Sequence, residues 1–306
     1  MKLHTLILIL ILIICIGRLP NIKAVSPVPD GGYPNFTTAE GQNALLDLTT
    51  GIGNTAVGSF SLETVTTGSL NTGVGADTLV LNTGDDNTAT GAAALLLNTT
   101  GANNTADGTA TLVNNSTGED NTAVGAFALN GNTASGNTAV GSNALLSNAT
   151  ASGNTAIGFN ALLNNTTGGT LDRTLGFDVG PNVAVGQQAL QNNTIASGNT
   201  AVGYQALASN TTGIADTDVG INTAVGFQAL VNASGPDAGA NDAFGYQTLF
   251  NLTSGGSDVA IGANSLHEKH ISINQNFNRL AILSRWYHPR HFHDRQRHAS
   301  TEGTRS

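Results

Sequence analysis

Apolar positions along this chain recur in a fixed register and are nowhere spaced for a helix. The recurring unit reads Asn-Thr-Ala-Val-Gly-x-x-Ala-Leu, followed by a polar stretch that is typically Asn-x-Thr-Thr-Gly. Clear copies begin at Asn54, Asn121, Asn137, Asn154, Asn199 and Asn222. Looser copies begin at Thr37, Asn71, Asn87, Asn104, Asn182, Asn241 and Asp258. The fifth-position glycines run from Gly41 to Gly262 at successive intervals of 17, 17, 16, 17, 17, 16, 17, 28, 17, 23, 19 and 17 residues. Thirteen units therefore share one period, with three enlarged gaps, and a fixed period of this kind marks a repeat architecture.

Within the unit, Thr-Ala-Val predicts a short strand with Thr and Val on one face and Ala on the other. Ala-Leu, three residues past the glycine, predicts a second short apolar element. Asn, Gly and Thr-Thr-Gly predict the turns between them, because Gly and Asn tolerate left-handed backbone angles. Two short strands and two turns make one coil. The fold class expected is all-β: a parallel β-solenoid, or β-roll, of about thirteen coils of 16–17 residues. Stacking would place Val57, Val74, Val124, Val140, Ile157, Val185, Val202 and Val225 in an interior ladder. A second interior ladder would hold Leu62, Leu79, Leu95, Leu112, Leu129, Leu145, Leu162, Leu190 and Leu207. Each such side chain contributes roughly 1.5–3 kcal/mol when buried. One coil cannot offset its own chain entropy of ~1–2 kcal/mol per residue, so stability must come from stacked neighbours. The alanines at the third and eighth motif positions are small enough for close contact between subunits. Composition leaves a monomer and an assembly equally open.

The ends differ from the repeats. Lys2 and His4 precede an apolar run from Leu6 to Ile16, which falls short of the roughly 20 residues that span a bilayer. Residues 1–24 are expected to be a secretory signal peptide ending at the small residue Ala24, and 25–36 a linker or cap. The repeat domain is placed at 37–266. Residues 267–306 are expected to form a basic, His-rich, disordered tail. The abrupt change of composition there also fits a shifted reading frame or a chance extension. No later apolar segment is long enough to cross a membrane.

Charge follows the same division. Residues 25–266 carry one basic residue, Arg173, against seventeen acids, whereas the tail carries seven basic residues and three acids. Only 10% of the chain is charged, against roughly 25% in an average domain, and no basic stripe offers itself to nucleic acid. The one cysteine, Cys15, lies in the leader, so no disulfide framework is expected.

Catalytic chemistry finds little to work with. Residues 25–266 contain no His, Cys or Lys, which removes His-assisted nucleophiles, thiol chemistry and Schiff-base lysines. Asp85, Asp86, Glu119 and Asp120 fall in inter-repeat turns and read as a solvated surface. A paired-carboxylate polysaccharide-acting enzyme would need aromatic residues beside them, and none line up in the sequence. Asp216 and Asp218 in the second enlarged gap form an isolated candidate for calcium. His288, His291, His293 and His298 in the tail match no structural zinc spacing. Asn-x-Thr triplets such as Asn35-Phe36-Thr37 recur because Asn and Thr build the turns. No catalytic, cofactor-binding or metal residue is assigned, no cofactor is expected, and the ligand-binding residues are unknown. The gaps Gly168–Asn182, Ile214–Ile221 and Ser234–Ala240 are the candidates for specificity, since insertions in a solenoid project as loops.

Asn182-Val183-Ala184-Val185-Gly186 and Asp258-Val259-Ala260-Ile261-Gly262 resemble the Asn-Ser-Val-Ala-Ile-Gly repeats of trimeric autotransporter adhesin heads of the YadA type. The resemblance covers about residues 37–266. It implies a left-handed parallel β-roll, three chains wound together, and display on a bacterial surface with host or matrix ligands. It favours a homotrimer over a monomer. The period of about 17 is longer than that of the family's heads, and Thr often replaces the first Val. No heptad stalk or membrane barrel pattern follows Leu266, so a secreted head, or part of a longer fibre, is expected. The function expected is polyvalent adhesion without catalysis. The alternatives are a passive fibre and, further off, an ice-binding solenoid or a polysaccharide-acting β-helix. The ice-binding case is weakened because the strand periodicity points the motif Thr inward with Val.

Overall fold

A computed structural model describes residues 34–167, 180–210, 221–233, 240–252, 256–269 and 280–282. After a single 3-10 turn at Pro34–Phe36, each repeat contributes one three-residue strand: β1 (Thr38–Glu40), β2 (Thr55–Val57), β3 (Thr72–Val74), β4 (Thr88–Thr90), β5 (Thr105–Asp107), β6 (Thr122–Val124), β7 (Thr138–Val140), β8 (Thr155–Ile157), β9 (Val183–Val185), β10 (Thr200–Val202), β11 (Thr223–Val225) and β12 (Asp242–Phe244). β13 (Asn251–Leu252), β14 (Val259–Ile261), β15 (Glu268–Lys269) and β16 (Leu280–Ile282) complete the described strands. All but β13 and β15 join one 14-stranded sheet in chain order, and every neighbouring pair is parallel. The chain is thus an all-β parallel solenoid, and no α-helix occurs among the described residues.

Register is strict. Ala123 pairs with Ala139, Ala139 with Ala156, and Ala156 with Ala184 across the 28-residue unit. The enlarged gaps leave the sheet uninterrupted. The candidate loops Gly168–Asn182, Ile214–Ile221 and Ser234–Ala240 follow the strand and the leucine of their units in the sequence, and most of their residues, Arg173, Asp216 and Asp218 among them, lie outside the described residues.

The interior differs from the expected one in a specific way. The middle alanine is fully buried in β2, β4 to β12 and β14, while Thr and Val face outward. Val57, Val74, Val140 and Ile157 are exposed, and Val124, Val185, Val202 and Val225 are half-buried. The interior Val ladder is therefore corrected to an exterior one. The period of two was read correctly, but the side was reversed. The leucine ladder is interior as expected, from Leu62 to Leu249, each fully buried. A coil this small has room for one column of large side chains. Leucine fills it, and the facing positions must be small: Ala at the strand and Ala, Ser or Thr beside the leucine. The same fact removes the alanines from any role at a subunit contact, because they are consumed inside their own coils.

The second strand expected at Ala-Leu is also absent. That segment is a turn in which two residues flank the small buried one, both in the left-handed region. In one coil Phe127 has φ 60° and Leu129 φ 50°, with Ala128 buried between them. The left-handed region disfavours L-residues by roughly 1–2 kcal/mol. It persists because it turns the leucine inward while its N–H still reaches the next coil, Leu129 N donating to the Ala144 carbonyl at 3.0 Å. Hydrogen bonds between coils thus continue around the cross-section beyond the strands.

Two columns of buried asparagine line the remaining corners. The first-position asparagines stack so that each Oδ1 accepts the backbone N–H of the next: Asn121 N to Asn104 Oδ1 at 3.0 Å, Asn137 N to Asn121 Oδ1 at 3.0 Å. Their amides also donate to carbonyls across the coil, Asn121 Nδ2 to Ala134 O at 2.9 Å. The second column links side chain to side chain, Asn132 to Asn115 at 3.0 Å and Asn148 to Asn132 at 2.8 Å. Buried polar groups are tolerated when bonded in this way.

The fifth-position glycine is required by both angle and space. Gly125 has φ 124°, and a Cβ there would stand 2.7 Å from the carbonyl carbon of Gly141 in the next coil. Gly73 replaces the strand alanine for a different reason: a Cβ would lie 2.6 Å from Ser61 Oγ and 2.7 Å from Thr78 Oγ1. Those two hydroxyls bond each other at 2.7 Å in the space the missing methyl leaves.

Strand pairing crosses the boundary expected at Leu266. Glu268–Lys269 pairs with Asn251–Leu252, and Leu280–Ile282 pairs with Val259–Ile261. At least part of the expected disordered tail therefore extends the solenoid. Trp286 and the four tail histidines lie outside the described residues.

Candidate binding surface

The outward face of the sheet is built by the second and fourth motif residues. Ten of its thirteen motif strands carry Thr at the second position, Val183, Asp242 and Val259 being the departures. The fourth position is Val or Ile in most strands, Thr90 in one and Phe244 in another, with acids at Glu40 and Asp107. Asp107 is held by the Thr90 hydroxyl. The result is two parallel rows, one hydroxyl and one branched apolar. Neighbouring strands lie about 4.8 Å apart, and residues two apart on a strand about 6.6 Å apart.

Several turn threonines bond to the backbone: Thr83 Oγ1 donates to Thr99 O at 2.7 Å, Thr133 Oγ1 to Ala149 O at 2.8 Å, and Thr111 Oγ1 to Gly125 O at 2.9 Å. Among the described residues, the hydroxyls of the second-position threonines, Thr38 to Thr223, make no hydrogen bond within the chain. They are turned to solvent in register.

A second feature escaped the sequence reading. The residue after the motif glycine is aromatic in three C-terminal coils. Tyr204 stacks on Phe227 with centroids 5.1 Å apart, and Phe227 on Tyr246 at 5.3 Å. Beside them runs a chain of glutamine amides, Gln205 to Gln188 at 3.0 Å, Gln228 to Gln205 at 2.8 Å and Gln247 to Gln228 at 2.8 Å. The signal was present as Tyr or Phe followed by Gln at three successive units. Because the rings cover one another's faces, they present edges outward rather than flat platforms.

The acids fall where a solvated surface would put them. Asp85, Asp86, Glu119 and Asp120 are exposed in the turns, and Asp85 accepts the Ser69 N–H at 2.7 Å. Burial first, and then the nearby charge of Glu63, push the Asp77 carboxyl upward from its ordinary range. No cluster of three or more His, Cys, Asp or Glu that could hold a metal occurs among the described residues. Nor does any described helix have the length and apolarity to cross a membrane.

No protein-family model matches the chain, and no curated protein matches it.

Proposed function

We propose that the chain is a non-enzymatic repeat protein of adhesin-head type, secreted or displayed at a cell surface, which binds by polyvalent presentation. The observation that carries this reading is the unbroken in-register sheet, in which the same outward groups recur in coil after coil. A contact too weak to hold at one coil becomes strong when a row of coils engages together, because later contacts form at high effective concentration. The resemblance of the repeats to trimeric autotransporter heads supports surface display, and three chains side by side would multiply the rows.

Two measurements test it. Light scattering on the full chain is expected to give three times the 31.0 kDa monomer mass. Adsorption to immobilised matrix proteins and glycans is expected to saturate and to fall steeply when coils are removed. A chain that binds none of them acts as a passive spacer instead.

A further inference from the structure

The solvent-facing threonine row has an arrangement that adhesion alone does not require. Its hydroxyls make no hydrogen bond within the chain and stand in one register, strand after strand. Its branched neighbours, such as Val140 and Ile157, are exposed rather than buried. From β6 to β11 neither outward position carries a charge, the acids of the face being Glu40, Asp107 and Asp242, and all three insertions enter the chain outside it. These features together describe a rigid grid of hydroxyl and methyl groups.

We infer that this face binds crystalline water. A hydroxyl can join a hydrogen-bonded water lattice, and an adjacent methyl or isopropyl group confines water without competing for its bonds. A charged group would instead hold a shell of its own. Bridging waters serve nearly as well as direct contacts where their order is already fixed. Backbone bonds between coils hold the grid rigid, so little conformational entropy is lost on docking. Many weak, identical contacts along one row add through avidity. The expectation that Thr points inward with Val, which weakened an ice surface, is reversed by the buried alanine between them.

The inference does not rest on the adhesive reading, and the two fail separately. The full chain is allowed to partition between slowly grown ice and liquid beside an inert protein of similar size, and thermal hysteresis is read on the same sample. Enrichment in ice, with hysteresis rising with concentration, is expected. T122K/T138K should drop enrichment to the inert-protein level while the circular dichroism melt is unchanged. S152K, in an exposed turn, should behave as the wild type. If the lysine pair melts early, T138K alone reports the same loss. The inference is overturned if the wild-type chain stays in the liquid like the inert protein, as it would with this face buried against a second copy. It is equally overturned if the folded lysine variants enter ice as readily as the wild type.

Discussion

At the scale of single residues, what decides the interior is volume rather than hydrophobicity. Val140 is the more apolar side chain of its strand, yet Ala139 takes the interior because the leucine column leaves room for little more than a methyl group. Ala139→Val should destabilise by about 1–3 kcal/mol through overpacking. Val140→Ala should cost less than about 0.5 kcal/mol, the usual range for a surface change. Denaturant melts of the two variants check this, and the interior assigned by hydrophobicity would give the opposite ranking. The lesson for reading such chains is local. Alternation shows that Thr138 and Val140 share a side, but three residues cannot say which side faces in. Leu145 and Gly141 are legible because Leu and Gly alone return without exception at their places in all thirteen units.

At the scale of the element, the turns hold as much order as the strands. The first-position asparagine reads as a turn former, and its burial is invisible in any one copy. The only signal was its return at the same register in unit after unit, beyond what a solvent-facing turn needs. In the structure, Asn121 serves three neighbours: it bonds Asn104 Oδ1, donates to Ala134 O and accepts from Asn137 N. Asn121→Ala would leave the Asn137 N–H buried without a partner, whereas the Ala134 carbonyl keeps its bond from Asn132 Nδ2. The expected loss is about 1–3 kcal/mol for the group so stranded. Hydrogen exchange should show it as lost protection at Asn137 and in the adjoining coils, with distant coils unaffected. The Ala-Leu turn was read as a strand because its apolar pair fits one. Only the left-handed angles at Phe127 and Leu129 reveal that the chain reverses there, and no residue type announces that conformation in a leucine.

At the scale of the molecule, each coil depends on its neighbours and on little else. Removing residues 121–136, one complete unit, joins Asp120 to Asn137 in register. The shortened chain should keep its circular dichroism shape per residue and lose only a modest part of its stability, as expected for stacked repeats. Removing residues 121–128, half a unit, should abolish cooperative melting in that region, because every side chain beyond the cut would face the wrong corner. The 28-residue unit shows the same rule from the other direction: Thr155 still pairs with Val183 despite the longer path between them. That tolerance makes the molecule a ruler. Each whole unit added or removed would change the length by a single step of about 4.8 Å without repacking anything already built. Reach would then change in discrete increments while the surface presented stays the same.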